Sequence, residues 1–222
     1  MLRAIANTAF GFKYAGSFTY ATLPSAAAYS GYEAYATDVG PNGAKVRSNG
    51  TRWLPVNGRA PLATLMSDIT LAATTGESQG IQALIPAGLL KAADTLELIG
   101  YGAKSGGTDT YRMGLRWGTT GVIANDTAVI ANTVQAMNTA GVSGEVGYAL
   151  QIVSNVSVRR ISGVANGSGP HNSNSATATA TAVAALADSD ANQIYATLTF
   201  QGGATVDTTT LFAGAQIVWR TP

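Results

Sequence analysis

Residues 109–118, DTYRMGLRWG, decide the fold. Tyr111, Met113, Leu115 and Trp117 take every second position, with Arg112, Gly114 and Arg116 between them. That period of two belongs to a strand with one face in a core and the other toward water. The same reading places Ile194, Ala196, Leu198 and Phe200 inward in NQIYATLTFQGG, and Ala215, Ile217 and Trp219 on one face of AGAQIVWRTP. Further strands are expected in SDITLAA, TLELIGYG, GYALQIVS and SVRRISG, separated by Gly-rich turns such as KSGGTD and QGG. Helix is expected only as a turn near PAGLLKAAD, where Pro86 suits a first helical position, and another near NTVQAMNT. The Ala/Thr alternation from Ala176 to Ala182 reads as a strand with a narrow apolar face, or as a plain edge strand or loop. The expected class is therefore all-β, an antiparallel jelly-roll-like β-sandwich over residues 59–222.

Residues 1–58 read differently. They hold most of the aromatics, and AYATDVGPNGAKVRSNGTRWLPV allows turns at PNG and SNG joining strands at Tyr35–Asp38, Lys45–Arg47 and Thr51–Val56. So small a β-hairpin/meander module is marginal alone and needs a partner, in its own chain or in another. Asn49-Gly50 suggests a type I′ turn, which would send Arg52 and Trp53 to opposite faces of the ribbon. Trp53 then has two readings: it fills a partner's pocket, or it covers the core of its own domain.

Only 11% of the 222 residues are charged, against a usual quarter, and the net charge is +1. Such a balance argues against nucleic acid or an anionic membrane surface as the partner. The distribution is uneven: residues 1–60 carry six basic and two acidic side chains, net +4, so the remainder is net −3. With no cysteine there is no disulfide framework and no thiolate metal site. The N-terminus shows no signal-like apolar run, and no stretch reaches the roughly 20 apolar residues of a membrane span. Synthesis and assembly in a cytoplasm are expected.

Chemistry-bearing patterns are sparse. The single histidine, His171, lies in a polar loop without a nearby carboxylate, so neither a catalytic dyad nor a histidine metal site is expected. Asp188 and Asp190 could hold a hard cation, but no closing Glu of a calcium loop follows, and solvated loop carboxylates are the better reading. Asp94 suits a turn cap better than a glycosidase pair with Glu97, and no phosphate-binding glycine motif is present. The expectations are no cofactor, no metal and no catalysis; a particle-borne depolymerase using Asp188 remains the enzyme alternative.

YSGYEAYATDVGPNGAKVRSNGTRWLPVNG, residues 29–58, resembles a short module found near the N-termini of tailed-bacteriophage structural proteins. The match rests on Thr37, Asp38, Ser48, Asn49, Gly50, Thr51, Arg52, Trp53, Pro55 and Val56. IPAGLLKAADTLELIGYGAKSGG and RWGTTG resemble the jelly-roll heads of phage fibre, spike and capsid-decoration proteins. The resemblance implies a virion protein, a homotrimer whose residues 1–58 attach to a particle and whose head projects outward. A capsid decoration (cement or head-spike) protein on the major capsid protein is the first expectation. A short tail or tail-fibre protein binding a host surface glycan is the alternative. The expected partner-binding residues are Trp53, Arg52, Arg47, Lys45 and Tyr35, with Trp53 as anchor and the cations meeting acidic groups at the rim.

Overall fold

The chain was analysed as a computed structural model that describes residues 13–71, 76–104, 111–135, 143–167, 182–183, 185–202 and 208–222. A first sheet is built from β1 (Lys13–Phe18), β2 (Tyr32–Ala36), β3 (Ala44–Ser48) and β4 (Trp53–Pro55), in that order. Strands β2, β3 and β4 form the expected meander, but β1 adds to it in parallel, Lys13 opposite Tyr32 and Phe18 opposite Ala36. Alternation decides its faces. Ala44, Val46 and Ser48 of β3 are buried while Lys45 and Arg47 are exposed.

The chain then continues through β5 (Arg59–Thr64), β6 (Ile69–Leu71), β7 (Ser78–Ile85), β8 (Thr95–Lys104), β9 (Tyr111–Gly118) and β10 (Thr127–Gln135). It returns through β11 (Ser143–Ser154), β12 (Ser157–Gly167), β13 (Ala182–Val183), β14 (Ile194–Gly202), β15 (Thr209–Leu211) and β16 (Gln216–Arg220). The pairings nest: β9 with β10, β8 with β11, β7 with β14, β5 with β16, all antiparallel. One long ribbon folded over on itself in this way yields two sheets, β5-β16-β8-β11 and β7-β14-β9-β10. This is the order of a jelly roll. Strands β12 and β13 extend the β5-β16-β8-β11 sheet beyond β11, while β15 and β6 continue it beside the far half of β8.

The core lies between the two sheets. Leu115 and Trp117 of β9 and Ile194, Ala196, Leu198 and Phe200 of β14 are buried, as their alternation predicts, facing Leu96, Leu98, Leu150, Ile217 and Trp219 across the sandwich. At about 25 cal/mol per Å² this apolar burial is the main favourable term holding the head together. The outer face of β14 is closed as well. Thr197 and Thr199 are buried beneath a polar lid in which Glu77 accepts from the Arg116 guanidinium and from the Thr199 hydroxyl, and Gln82 donates to Thr197.

The helical turn expected near PAGLLKAAD is not formed. Residues 86–94 make two β-turns, Leu89 N to Pro86 O and Asp94 N to Lys91 O, and each is stopped by a left-handed residue, Gly88 (φ 76°) and Ala93 (φ 75°). The stretch near NTVQAMNT belongs to β10 as far as Gln135, its remainder lying outside the described residues. The Ala176–Ala182 stretch also lies outside the described residues, apart from Ala182 in β13. Among the described residues there is no α-helix, and no helix is long and apolar enough to cross a membrane.

The first sheet shares the core of the head: Ala34, Ala36, Val39, Val46 and Trp53 belong to one buried cluster with Ala60, Leu62 and the sandwich residues. The loop after β2 lies directly on β5. A Cβ on Gly40 would stand 2.0 Å from the Pro61 carbonyl oxygen, and its φ of 74° also favours glycine.

Candidate functional site

The hairpin between β3 and β4 is the feature the sequence singles out, and its turn is built by side chains. Ser48 faces Trp53 across the ladder, leaving Asn49 to Arg52 as a four-residue loop. Only Gly50 has a positive φ (91°), so the turn is not type I′, which would need a second positive φ at Asn49. Instead the Asn49 side-chain oxygen accepts from the backbone N–H of Thr51 and of Arg52, both at 2.9 Å, and from the Thr51 hydroxyl at 2.8 Å. An asparagine closing its own turn in this way replaces the second left-handed residue.

From that turn Arg52 reaches into the head. Its guanidinium binds Asp94 through both nitrogens, Nη1 to Oδ2 at 3.0 Å and Nη2 to Oδ1. Asp94 is fully buried and accepts two more bonds at Oδ2, from Trp219 Nε1 at 3.0 Å and from the backbone N–H of Lys91 at 3.1 Å. A buried carboxylate is tolerated only with such a complete set of partners. Asp94 is indeed the turn cap expected from sequence, and it is also the point that the hairpin grips.

Trp53 is 4% exposed, its indole N–H donating to the Pro24 carbonyl at 2.8 Å. Ser48 Oγ donates to Ala26 O at 2.6 Å, so the segment between β1 and β2 is fastened onto the same hairpin. Tyr20 stands edge-on to Trp219, ring centroids 6.4 Å apart, and its backbone N–H donates to Asp38 Oδ1 at 2.7 Å. Burial pushes the Tyr20 hydroxyl up to about 12, with Asp94 and Asp190 adding to the rise and Arg52 opposing it. Of the two readings of Trp53, the geometry matches the covering of its own core.

The remaining predicted residues lie on the opposite face of the first sheet. Lys45 Nζ stands 2.6 Å and Arg47 Nη2 2.5 Å from the two oxygens of Glu33, which sits beneath them and is buried. Burial would raise the Glu33 carboxyl, but the bonds from Lys45 and Arg47 outweigh it and hold the group below its ordinary value. Tyr35 donates its hydroxyl to the Asn42 carbonyl, bracing the β2–β3 turn. The structure thus divides the five predicted residues: Arg52 and Trp53 point into the molecule, while Lys45, Arg47 and Tyr35 share its outer surface. Sequence reasoning missed Glu33, although pairing β2 with β3 places it opposite Arg47. It also missed Asp94 as partner of Arg52, for which a separation of 42 positions leaves no sequence signal.

The other carboxylates of interest have structural partners. Asp188 Oδ1 accepts from Asn155 Nδ2 and from the backbone N–H of Asp190 and Ala191, bonds that hold its carboxyl below the ordinary value. Asp190 pairs with Lys91 at 2.6 Å and Glu97 with Arg220 at 2.7 Å. His171 lies outside the described residues. No group of three or more metal-ligating side chains occurs among the described residues. A cleft of about 390 Å³ opens where the β2–β3 loop meets β5 and β7, lined by Pro41, Leu62 and Leu84 with Asp38, Thr64 and Gln82 at its polar side.

No family model matches the chain, and neither the curated proteins nor the solved structures include a significant match to it.

Proposed function

We propose that this chain is a non-enzymatic structural protein of a tailed-bacteriophage particle, a homotrimeric capsid decoration protein attached through residues 1–58 and projecting its jelly roll. One observation carries the reading. The first sheet is locked to the head by its inner face and by the Arg52–Asp94 pair, yet turns a basic, tyrosine-bearing outer face away from the head. A rigid knob with one such face is suited to transmitting a docked position to the head without a flexible stalk. The head itself offers a surface poor in charge, which favours contact with sister subunits over long-range steering.

Reconstruction of the particle tests the proposal. Density for three copies around a capsid symmetry axis, first sheet against the shell, is the expected result. Density on the tail or baseplate would replace decoration with the host-binding alternative, and turnover of host polysaccharide that is lost in Asp188→Ala would replace both with the depolymerase.

A further inference from the structure

We infer that Asn57, in the turn that joins the first sheet to the head, is a modification site: its side chain closes spontaneously onto the Gly58 backbone nitrogen, and water reopens the ring to aspartate and isoaspartate.

The sequence holds four Asn-Gly pairs, at 42–43, 49–50, 57–58 and 166–167. A glycine after asparagine leaves the next amide nitrogen unshielded by a side chain, so each pair is chemically able to cyclise. The fold separates them. Asn42, Asn49 and Asn57 are all exposed, so access to water does not discriminate among these three. The Asn49 carboxamide oxygen is held by the Thr51 N–H, the Thr51 hydroxyl and the Arg52 N–H, and the Gly50 N–H donates to Ser48 Oγ at 3.1 Å. Gly43 is packed against Tyr35: a Cβ there would stand 2.7 Å from the ring, and the Tyr35 hydroxyl also binds the Asn42 carbonyl. Gly167 lies opposite Gly144 in the β11–β12 ladder. Asn57 has none of these restraints. Its carboxamide makes no hydrogen bond among the described residues, and a Cβ on Gly58 would meet nothing within 4 Å. The Gly58 N–H bond to Pro55 O, at 2.9 Å, closes the turn and is the bond that must open.

The chemistry needs only water. The Gly58 nitrogen, its proton passed to solvent, attacks Cγ of Asn57; the N–Cγ bond forms, the Cγ–Nδ2 bond breaks, and Nδ2 takes up a proton and leaves as ammonia. Water then opens the cyclic imide at Cγ to give aspartate, or at the main-chain carbonyl to give isoaspartate, whose main chain runs through Cγ. Either product adds a negative charge, and the second lengthens the chain's single crossing from β4 to β5. The same turn tethers the C-terminus, since Gly58 O accepts from Thr221 N at 3.0 Å.

The full chain, incubated folded in mildly alkaline buffer and then digested for peptide mass mapping, provides the test. Conversion at Asn57 should exceed that at Asn49 by about tenfold or more, because the bonds on Asn49 must open first. It should also exceed conversion at Asn42 and Asn166. Asn57→Gln, whose longer side chain would have to form a larger and slower-closing ring, should remove most of the acidic species resolved by anion exchange. In denaturant the preference for Asn57 should vanish, since all four pairs then share the same local chemistry. No conversion at Asn57, faster conversion at another pair in the folded chain, an undiminished acidic species in folded Asn57→Gln, or a preference that persists in denaturant each overturns the inference.

Discussion

The two parts of the molecule are held together by different means. The head buries leucine, isoleucine, phenylalanine and tryptophan side chains between two sheets, so its core strands are fixed chiefly by apolar packing. The first sheet has four short strands, and much of its inner face is alanine: Ala34, Ala36 and Ala44. A face of that kind buries little area per residue, and the deficit is made up by directed bonds. These are the Arg52 fork on Asp94, the Trp53 indole on Pro24 and the Ser48 hydroxyl on Ala26. The module is thus joined to the head by a shared apolar cluster and by a matched buried ion pair that crosses the junction.

The sharpest way to break that contrast is Arg52→Ala. It leaves Asp94 buried with only Trp219 and Lys91 N as partners, and loss of one member of a buried pair costs about 3–5 kcal/mol. Chemical denaturation of the free protein should show this loss. A loss below about 1 kcal/mol would mean that apolar packing, not the ion pair, holds the junction.

Acid should act on both parts through their depressed carboxylates. Glu33, buried but bonded by Lys45 and Arg47, and Glu77, partly buried but bonded by Arg116 and Thr199, both titrate below the ordinary 4.5. A carboxyl depressed in the folded state contributes stability above its unfolded value and loses it as pH falls through the folded value. The denaturation midpoint should therefore drop as pH is lowered beneath 4.5, and Glu33→Gln with Glu77→Gln should flatten that slope. An unchanged slope would show that other carboxylates carry the acid sensitivity.

The smallest expected effect sharpens the comparison at the junction. Ala93 immediately precedes Asp94 and has a φ of 75°, which an L side chain tolerates at a cost. Ala93→Gly should raise stability by a few tenths of a kcal/mol, up to about 1. A destabilised variant would mean that the Ala93 methyl contributes packing greater than its strain.

What could be read from the sequence follows from the range of the forces involved. The strands of Leu115, Trp117, Ile194 and Phe200 were legible because one buried face imposes alternation locally. Thr197 and Thr199 were not, because their cover is Glu77 and Arg116, brought from positions distant in the chain. The hairpin at Asn49-Gly50 was legible as a turn, yet its type was not, since Asn49 closes the loop with its side chain rather than with its own φ. Parallel β1 had no signal, because a parallel neighbour requires no short turn. At the candidate site, Lys45, Arg47 and Tyr35 were expected beside Arg52 and Trp53 at one contact, and only the pairing of β2 with β3 separates them onto an outer face. Arg52 was assigned to an outside partner because its acid, Asp94, stands far along the sequence.

The central claim is that the hairpin fastens the first sheet to the head through Arg52 and Asp94. A double-mutant cycle with Arg52→Met and Asp94→Leu, measured by equilibrium denaturation of the full chain, tests it most directly. The account predicts that each single change is strongly destabilising, that the double variant is less so than their sum, and that the coupling is about 2–3 kcal/mol. Effects that add within about 0.5 kcal/mol would contradict it.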